Sequence, residues 1–131
     1  MVRGLDIFQE RFAAYVDQYV LIGGTAASLA MEEAGLEAAH WRPAYKAEMS
    51  NSVTDERAMA WIAWGLTPVP VAPDPTEIIR VVRVPFADLL REIGTGAIRD
   101  MFTLATALRA YHMAREGELP PELAKAMLAG V

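Results

Sequence analysis

The stretch LTPVPVAPDPTE, residues 66–77, limits the fold more than any other part of the chain. It holds four prolines in twelve residues. Proline fixes φ and has no N–H, so such a stretch can neither continue a helix nor run through the middle of a sheet. It reads as an extended connection. Everything with regular structure must lie before or after it.

Before it, Leu5 to Asp17 reads as an amphipathic helix, with Leu5, Phe8, Phe12, Tyr15 and Val16 on one face. Tyr19 to Ile22 is a short β-rich run that ends at Gly23-Gly24. Thr25 is placed to N-cap a helix from Ala26 to Ala34, and Gly35 to stop it in the left-handed C′ position. From Trp41 to Met49, apolar and polar residues alternate in the manner of a half-buried strand. Pro43 marks it as an edge or a strand start. SNSVTDE, residues 50–56, is a polar loop, and Arg57 to Trp64 is a strand apolar on both faces, hence central.

After the connection, Ile78 to Val84 is rich in β-branched residues and reads as a third strand in the series begun by Trp41–Met49 and Arg57–Trp64. Pro85 opens a short helix that ends at Gly94-Thr95-Gly96. Asp100 caps a long helix to about Arg115, with Phe102, Ala105, Leu108 and His112 along one stripe. A last helix starts at Pro120-Pro121 and runs to about Ala129. The expected fold is α+β, a small mixed sheet flanked by helices. At 131 residues the chain is expected to form a single domain.

Several functions are excluded by composition. With no cysteine there is no disulfide, thiolate metal site or cysteine nucleophile. The net charge of −5 opposes non-specific binding to nucleic acid or to anionic membranes. No apolar run is long enough to span a bilayer, and the N-terminus carries acids where a secretion signal needs an apolar core, so a cytoplasmic protein is expected. His40 and His112 are too far apart in sequence to form a ligand motif. The basic residues are nearly all arginine, Lys46 and Lys125 being the only lysines. Trp41, Trp61 and Trp64 read as buried aromatics of the sheet, with base stacking as the other use of such rings.

Two phosphate-handling patterns meet in the first third. A strand, a Gly23-Gly24-Thr25 turn and a helix start bring free backbone N–H groups and the positive end of a helix to one point, which favours phosphate. The same glycines also suit a plain tight turn. In its wider context, GLDIFQERFAAYVDQYVLIGGTAASLAMEEAGL, this segment resembles the N-terminus of AbiEii-type nucleotidyltransferases of toxin–antitoxin systems. The resemblance covers residues 1–38 and implies that Gly23, Gly24 and Thr25 hold a nucleotide. That family places an Asp-x-Asp pair on the next strand for two metal ions. None is present here, where the chain reads LEAAHWRPAYKAEMS.

The rest of the chain, residues 39–131 with MEEAGLEAAHW leading in, resembles the C-terminal part of Nudix hydrolases of the ADP-ribose pyrophosphatase type. SNSVTDE, GLTP, EIIRVVRVPF and GAIRD carry that resemblance in order. It implies a partial Nudix-like α/β/α sandwich. It also implies that Glu32 and Glu33, with Glu56 from the bordering loop, bind Mg²⁺ and activate water against a pyrophosphate. Aligned at its tail, the Nudix box keeps Glu32, Glu33, Gly35 and Leu36. Its Arg-Glu pair falls on Ser28 and Leu29, its first glutamate on Val20 and its first glycine on Ala14. Glu32 and Glu33 also suit an ordinary solvated helix face, and Asp55 and Glu56 ordinary loop polarity.

The chain thus reads as a chimera in which each active site is cut at the join. The expected function is a non-catalytic binding or regulatory protein with a protein partner, a component of a toxin–antitoxin system. The alternative is a residual Mg²⁺-dependent hydrolase of nucleoside-diphosphate compounds such as ADP-ribose.

Overall fold

The computed structural model describes residues 19–24, 35–50, 52–70 and 84–131. These form three strands and three helices: β1 (Tyr19–Gly24), β2 (Leu36–Glu48), β3 (Arg57–Pro68), α1 (Phe86–Thr95), α2 (Met101–Arg115) and α3 (Pro121–Leu128). The fold is α+β, as expected. Strand order is β1-β3-β2, and both pairings are antiparallel. The helix expected from Leu5 to Asp17, the one from Ala26 to Ala34 and the body of the Ile78–Val84 strand fall outside the described residues.

β3 is central, as its two apolar faces required. Ala58, Ala60, Ile62 and Ala63 are buried. The strand also runs further than expected, through Leu66 and Thr67 to Pro68. Pairing explains the extension: Leu36, Glu37 and Ala38 stand opposite Pro68, Thr67 and Leu66, so β2 also starts earlier than Trp41.

The regular alternation expected in β2 is broken. The register shifts between Pro43 and Tyr45, leaving Ala44 as an extra residue. A bulge of this kind turns the following side chains to the other face. Trp41 and Pro43 therefore lie on one face of the sheet, and Tyr45 and Ala47 on the other. The Tyr45 hydroxyl meets Thr106 Oγ1 of α2 at 3.1 Å, which identifies Tyr45's face as the one under the helices. Burial raises the Tyr45 pKa, an effect opposed by the Thr106 hydrogen bond and helped by nearby Asp100.

α2 begins where the sequence placed it. The Asp100 carboxylate accepts from the Thr103 backbone N–H at 3.0 Å and from its hydroxyl at 2.7 Å. The expected apolar stripe is corrected, however. Leu108 is 50% exposed and His112 is also exposed, while Thr103, Thr106, Ala107, Ala110, Met113 and Ala114 are buried. The small residues of this face let the helix approach the sheet closely, which a face of large side chains would not. α1 ends at Gly96, whose φ of 83° suits the left-handed C′ position and whose N–H meets the Ile93 carbonyl at 3.2 Å. α3 follows Pro120 and opens on Pro121. Ile62, Phe86, Leu89, Ala107, Met113 and Met127 form the centre of the core.

Candidate functional site

The residues expected to handle phosphate are only partly within the described structure. Gly23 and Gly24 are the last residues of β1 rather than a free turn, opposite Ala60 and Met59 of β3. Thr25, Glu32 and Glu33 lie outside the described residues. Glu56 is exposed just before β3, where its backbone carbonyl accepts from the Met49 N–H at 2.9 Å and its N–H donates to Thr54 Oγ1 at 3.1 Å. The β1–β3 register brings two of the expected features to one end of the sheet. Gly24 leaves β1 opposite Met59, and Glu56 enters β3 next to Arg57. A magnesium ion wants several oxygens from converging elements. Among the described residues no group of three His, Cys, Asp or Glu side chains could hold a metal ion. The described residues therefore do not by themselves fit the Mg²⁺ that the Nudix resemblance implies.

Two other constellations emerge on β2, one on each face. On the helix side, Arg42 lies over the Trp64 ring at 5.5 Å, and His40 stacks on the same ring at 5.5 Å. Arg42 also donates to the backbone carbonyl of Glu118, between α2 and α3. Arg109 of α2 donates to the Ala44 carbonyl at 2.9 Å and grips both Glu118 oxygens at 3.0 Å. Such a forked pair fixes geometry as well as charge. Arg109 also contacts His112 Nδ1 at 2.6 Å. A guanidinium has only donors, so Nδ1 is the acceptor and a neutral His112 carries its proton on Nε2. His112 is an exposed member of the cluster around Glu118 rather than part of a packed apolar stripe.

The cluster fastens the bulge of β2 to α2 and to the α2–α3 loop. The Glu118 pKa is lowered, chiefly by the Arg109 hydrogen bonds, and that of Arg109 is raised, chiefly by the same bonds. A carboxyl whose folded pKa lies below its unfolded one adds stability above the unfolded value, and loses it as pH falls through the folded value. Thermal unfolding of wild type and Glu118→Gln should therefore differ at neutral pH and converge on the acid side of the ordinary carboxylate range. A difference unchanged by acid would show that the ion pair contributes nothing.

On the opposite face, Trp41 and Trp61 meet edge to face at 6.3 Å. This corrects the expectation that the sheet tryptophans are all buried. Trp41 is 38% exposed, while Trp61 and Trp64 are half-buried. Ala39, Pro43, Gly65 and Thr67 around them are exposed as well. The bulge produces this arrangement by putting Trp41 on the face away from α2. The β2 alternation, followed without a bulge, would have put Trp41 and Tyr45 on the same side.

No protein-family profile, curated protein or solved structure matches this chain. Among the described residues, no helix is long and apolar enough to cross a membrane.

Proposed function

We propose that this chain is a non-catalytic binding or regulatory protein, a toxin–antitoxin component assembled from a nucleotidyltransferase-like and a Nudix-like segment. The observation that carries the reading is the Trp41–Trp61 pair, presented on a face of the sheet that the three described helices leave open. Tryptophan is enriched among the residues that dominate binding energy between proteins, and it suits protein contact better than catalysis. The sequence adds the missing Asp-x-Asp pair and the missing Arg-Glu pair of the Nudix box. On this reading a protein is the ligand, and the phosphate-binding parts are scaffold.

The second reading is a residual Mg²⁺-dependent hydrolase of ADP-ribose-like compounds using Glu32, Glu33 and Glu56. It is favoured by the shared location of Gly24 and the Glu56 loop at one end of the sheet. Calorimetric titration of the folded protein with Mg²⁺ and ADP-ribose separates the two. The binding-protein reading expects no heat of binding and no change with Glu33→Gln. Saturable Mg²⁺-dependent binding that Glu33→Gln abolishes would favour the hydrolase.

A further inference from the structure

We infer that the open face of the sheet is a self-complementary surface that pairs with a second copy of this chain. The inference deepens the binding reading by naming the partner, and rests on that reading. Its basis is the order of residues along β2, measured against β3. Trp41 stands opposite Ala63. Glu37 stands opposite Thr67 and Lys46 opposite Met59, each four β3 residues from the Trp41 position. Glu37 shares the Trp41 face by plain alternation, and the bulge brings Lys46 onto it as well. The aromatic centre is thus flanked by one carboxylate and one ammonium at equal distances, about 13 Å away at the usual strand rise.

That arrangement has the symmetry of a twofold interface. In an isologous dimer, residue i of one copy meets residue j of the other, and j meets i. A twofold axis between two such faces, crossing the strands at the level of Trp41, lays β2 over the β2 of its partner in the opposite direction. Trp41 then meets its own copy at the centre, with a Trp61 beside it on either side of the axis. Each Glu37 faces a Lys46, twice over. A twofold along the strands would instead set Glu37 against Glu37 and Lys46 against Lys46, so charge selects the first orientation. The composition fits as well. The centre is aromatic with Pro43 and half-buried Met59, and the charges stand at its rim, the usual anatomy of a specific interface. Glu48 and Arg57, opposite one another in register further along, carry one charge of each sign and add no net charge to this pattern.

The test is sedimentation equilibrium of the full chain across the micromolar range, with circular dichroism to confirm folding of each variant. Wild type should be dimeric. Trp41→Asp, at an exposed position, should raise the dimer dissociation constant by about a hundredfold or more, as loss of a central aromatic does. Glu37→Lys alone and Lys46→Glu alone should each weaken the dimer, on the order of tenfold, by setting like charges face to face. The double variant Glu37→Lys/Lys46→Glu should recover most of the wild-type affinity. A monomeric wild type would overturn the inference and leave the face to an unlike partner. Single charge reversals without effect, or a double variant no better than the singles, would overturn it too. None of these results depends on nucleotide turnover. A monomer that does not hydrolyse ADP-ribose refutes self-association alone, whereas turnover refutes the underlying reading.

Discussion

Ile62→Ala is expected to lower the free energy of unfolding by about 3–5 kcal/mol, the range for large-to-small changes in a core that cannot collapse around the gap. Ile62 is 0% exposed on the central strand, and its register neighbours are Leu21 of β1 and Arg42 of β2. It belongs to the same core cluster as Leu89, Met113 and Met127. Both adjoining strands are held by the β3 ladder, so the backbone has little room to move inward and the lost volume remains as a cavity. A domain of this size has a total stability of roughly 5–15 kcal/mol, so about a fifth or more of it is at stake. Urea unfolding should show a lower midpoint with an unchanged slope, since the surface exposed on unfolding is the same. Val53→Ala is the control. Val53 is 87% exposed in the β2–β3 loop, and its removal should change stability by less than about 0.5 kcal/mol. A loss below about 1 kcal/mol for Ile62→Ala would mean that this strand does not face the core as described.

Gly65→Ala is the second large effect, expected to cost about 3 kcal/mol from two sources that can be separated. The first is backbone conformation. Gly65 has φ of 69°, a region that costs an L-residue roughly 1–2 kcal/mol. The second is space. A Cβ at position 65 would meet the Ala39 Cβ at 3.0 Å and the His40 Cδ2 at 3.3 Å, and the first of these sits rigidly on the neighbouring strand. Gly96 offers the comparison, because its φ is 83° but a Cβ there would meet nothing within 4 Å. Gly96→Ala should therefore cost only the backbone part. Combining Gly65→Ala with Ala39→Gly removes the closer of the two contacts, and a double-mutant cycle in denaturant should show a coupling of about 1 kcal/mol. Equal losses for Gly65→Ala and Gly96→Ala would show that crowding is absent and that β2 and β3 lie further apart than described.

How much of this was legible beforehand depends on the range of the forces involved. The helix boundaries were readable because they are local backbone chemistry. Asp100 caps α2 through a carboxylate three residues from Thr103, Gly96 ends α1, and Pro85 and Pro120 precede helices. The centrality of β3 was also readable, since a run as apolar as AMAWIAW suits a strand with neighbours on both sides. The buried face of α2 was not, because the stripe that its large residues Phe102 and Leu108 mark is not the one that packs. The face that packs is made of threonine and alanine, whose burial depends on what lies opposite. The bulge between Pro43 and Tyr45 was missed as well. Pro43 signalled an irregular strand, but the side to which the chain turns is set by pairing with Trp61 and Ala60.

The candidate site was less legible than the fold. The Arg42–Glu118 contact joins residues 76 positions apart, and no local pattern announces it. The Trp41 surface follows from the bulge and so could not precede it. Of the residues that the resemblances single out, Gly23, Gly24 and Glu56 are placed by the β1–β3 register at one end of the sheet. Thr25, Glu32 and Glu33 fall outside the described residues, so their role stands on sequence alone.

The central claim is that the phosphate-handling parts of this chain do no chemistry. The most direct measurement is phosphorus NMR of ADP-ribose held with Mg²⁺ and a stoichiometric amount of the folded wild-type protein, where even one slow turnover per molecule is visible. The account predicts that the diphosphate resonances persist unchanged, with the same spectrum for Glu33→Gln. Conversion to AMP and ribose 5-phosphate by wild type, lost in Glu33→Gln, would contradict it and make the chain a minimal hydrolase.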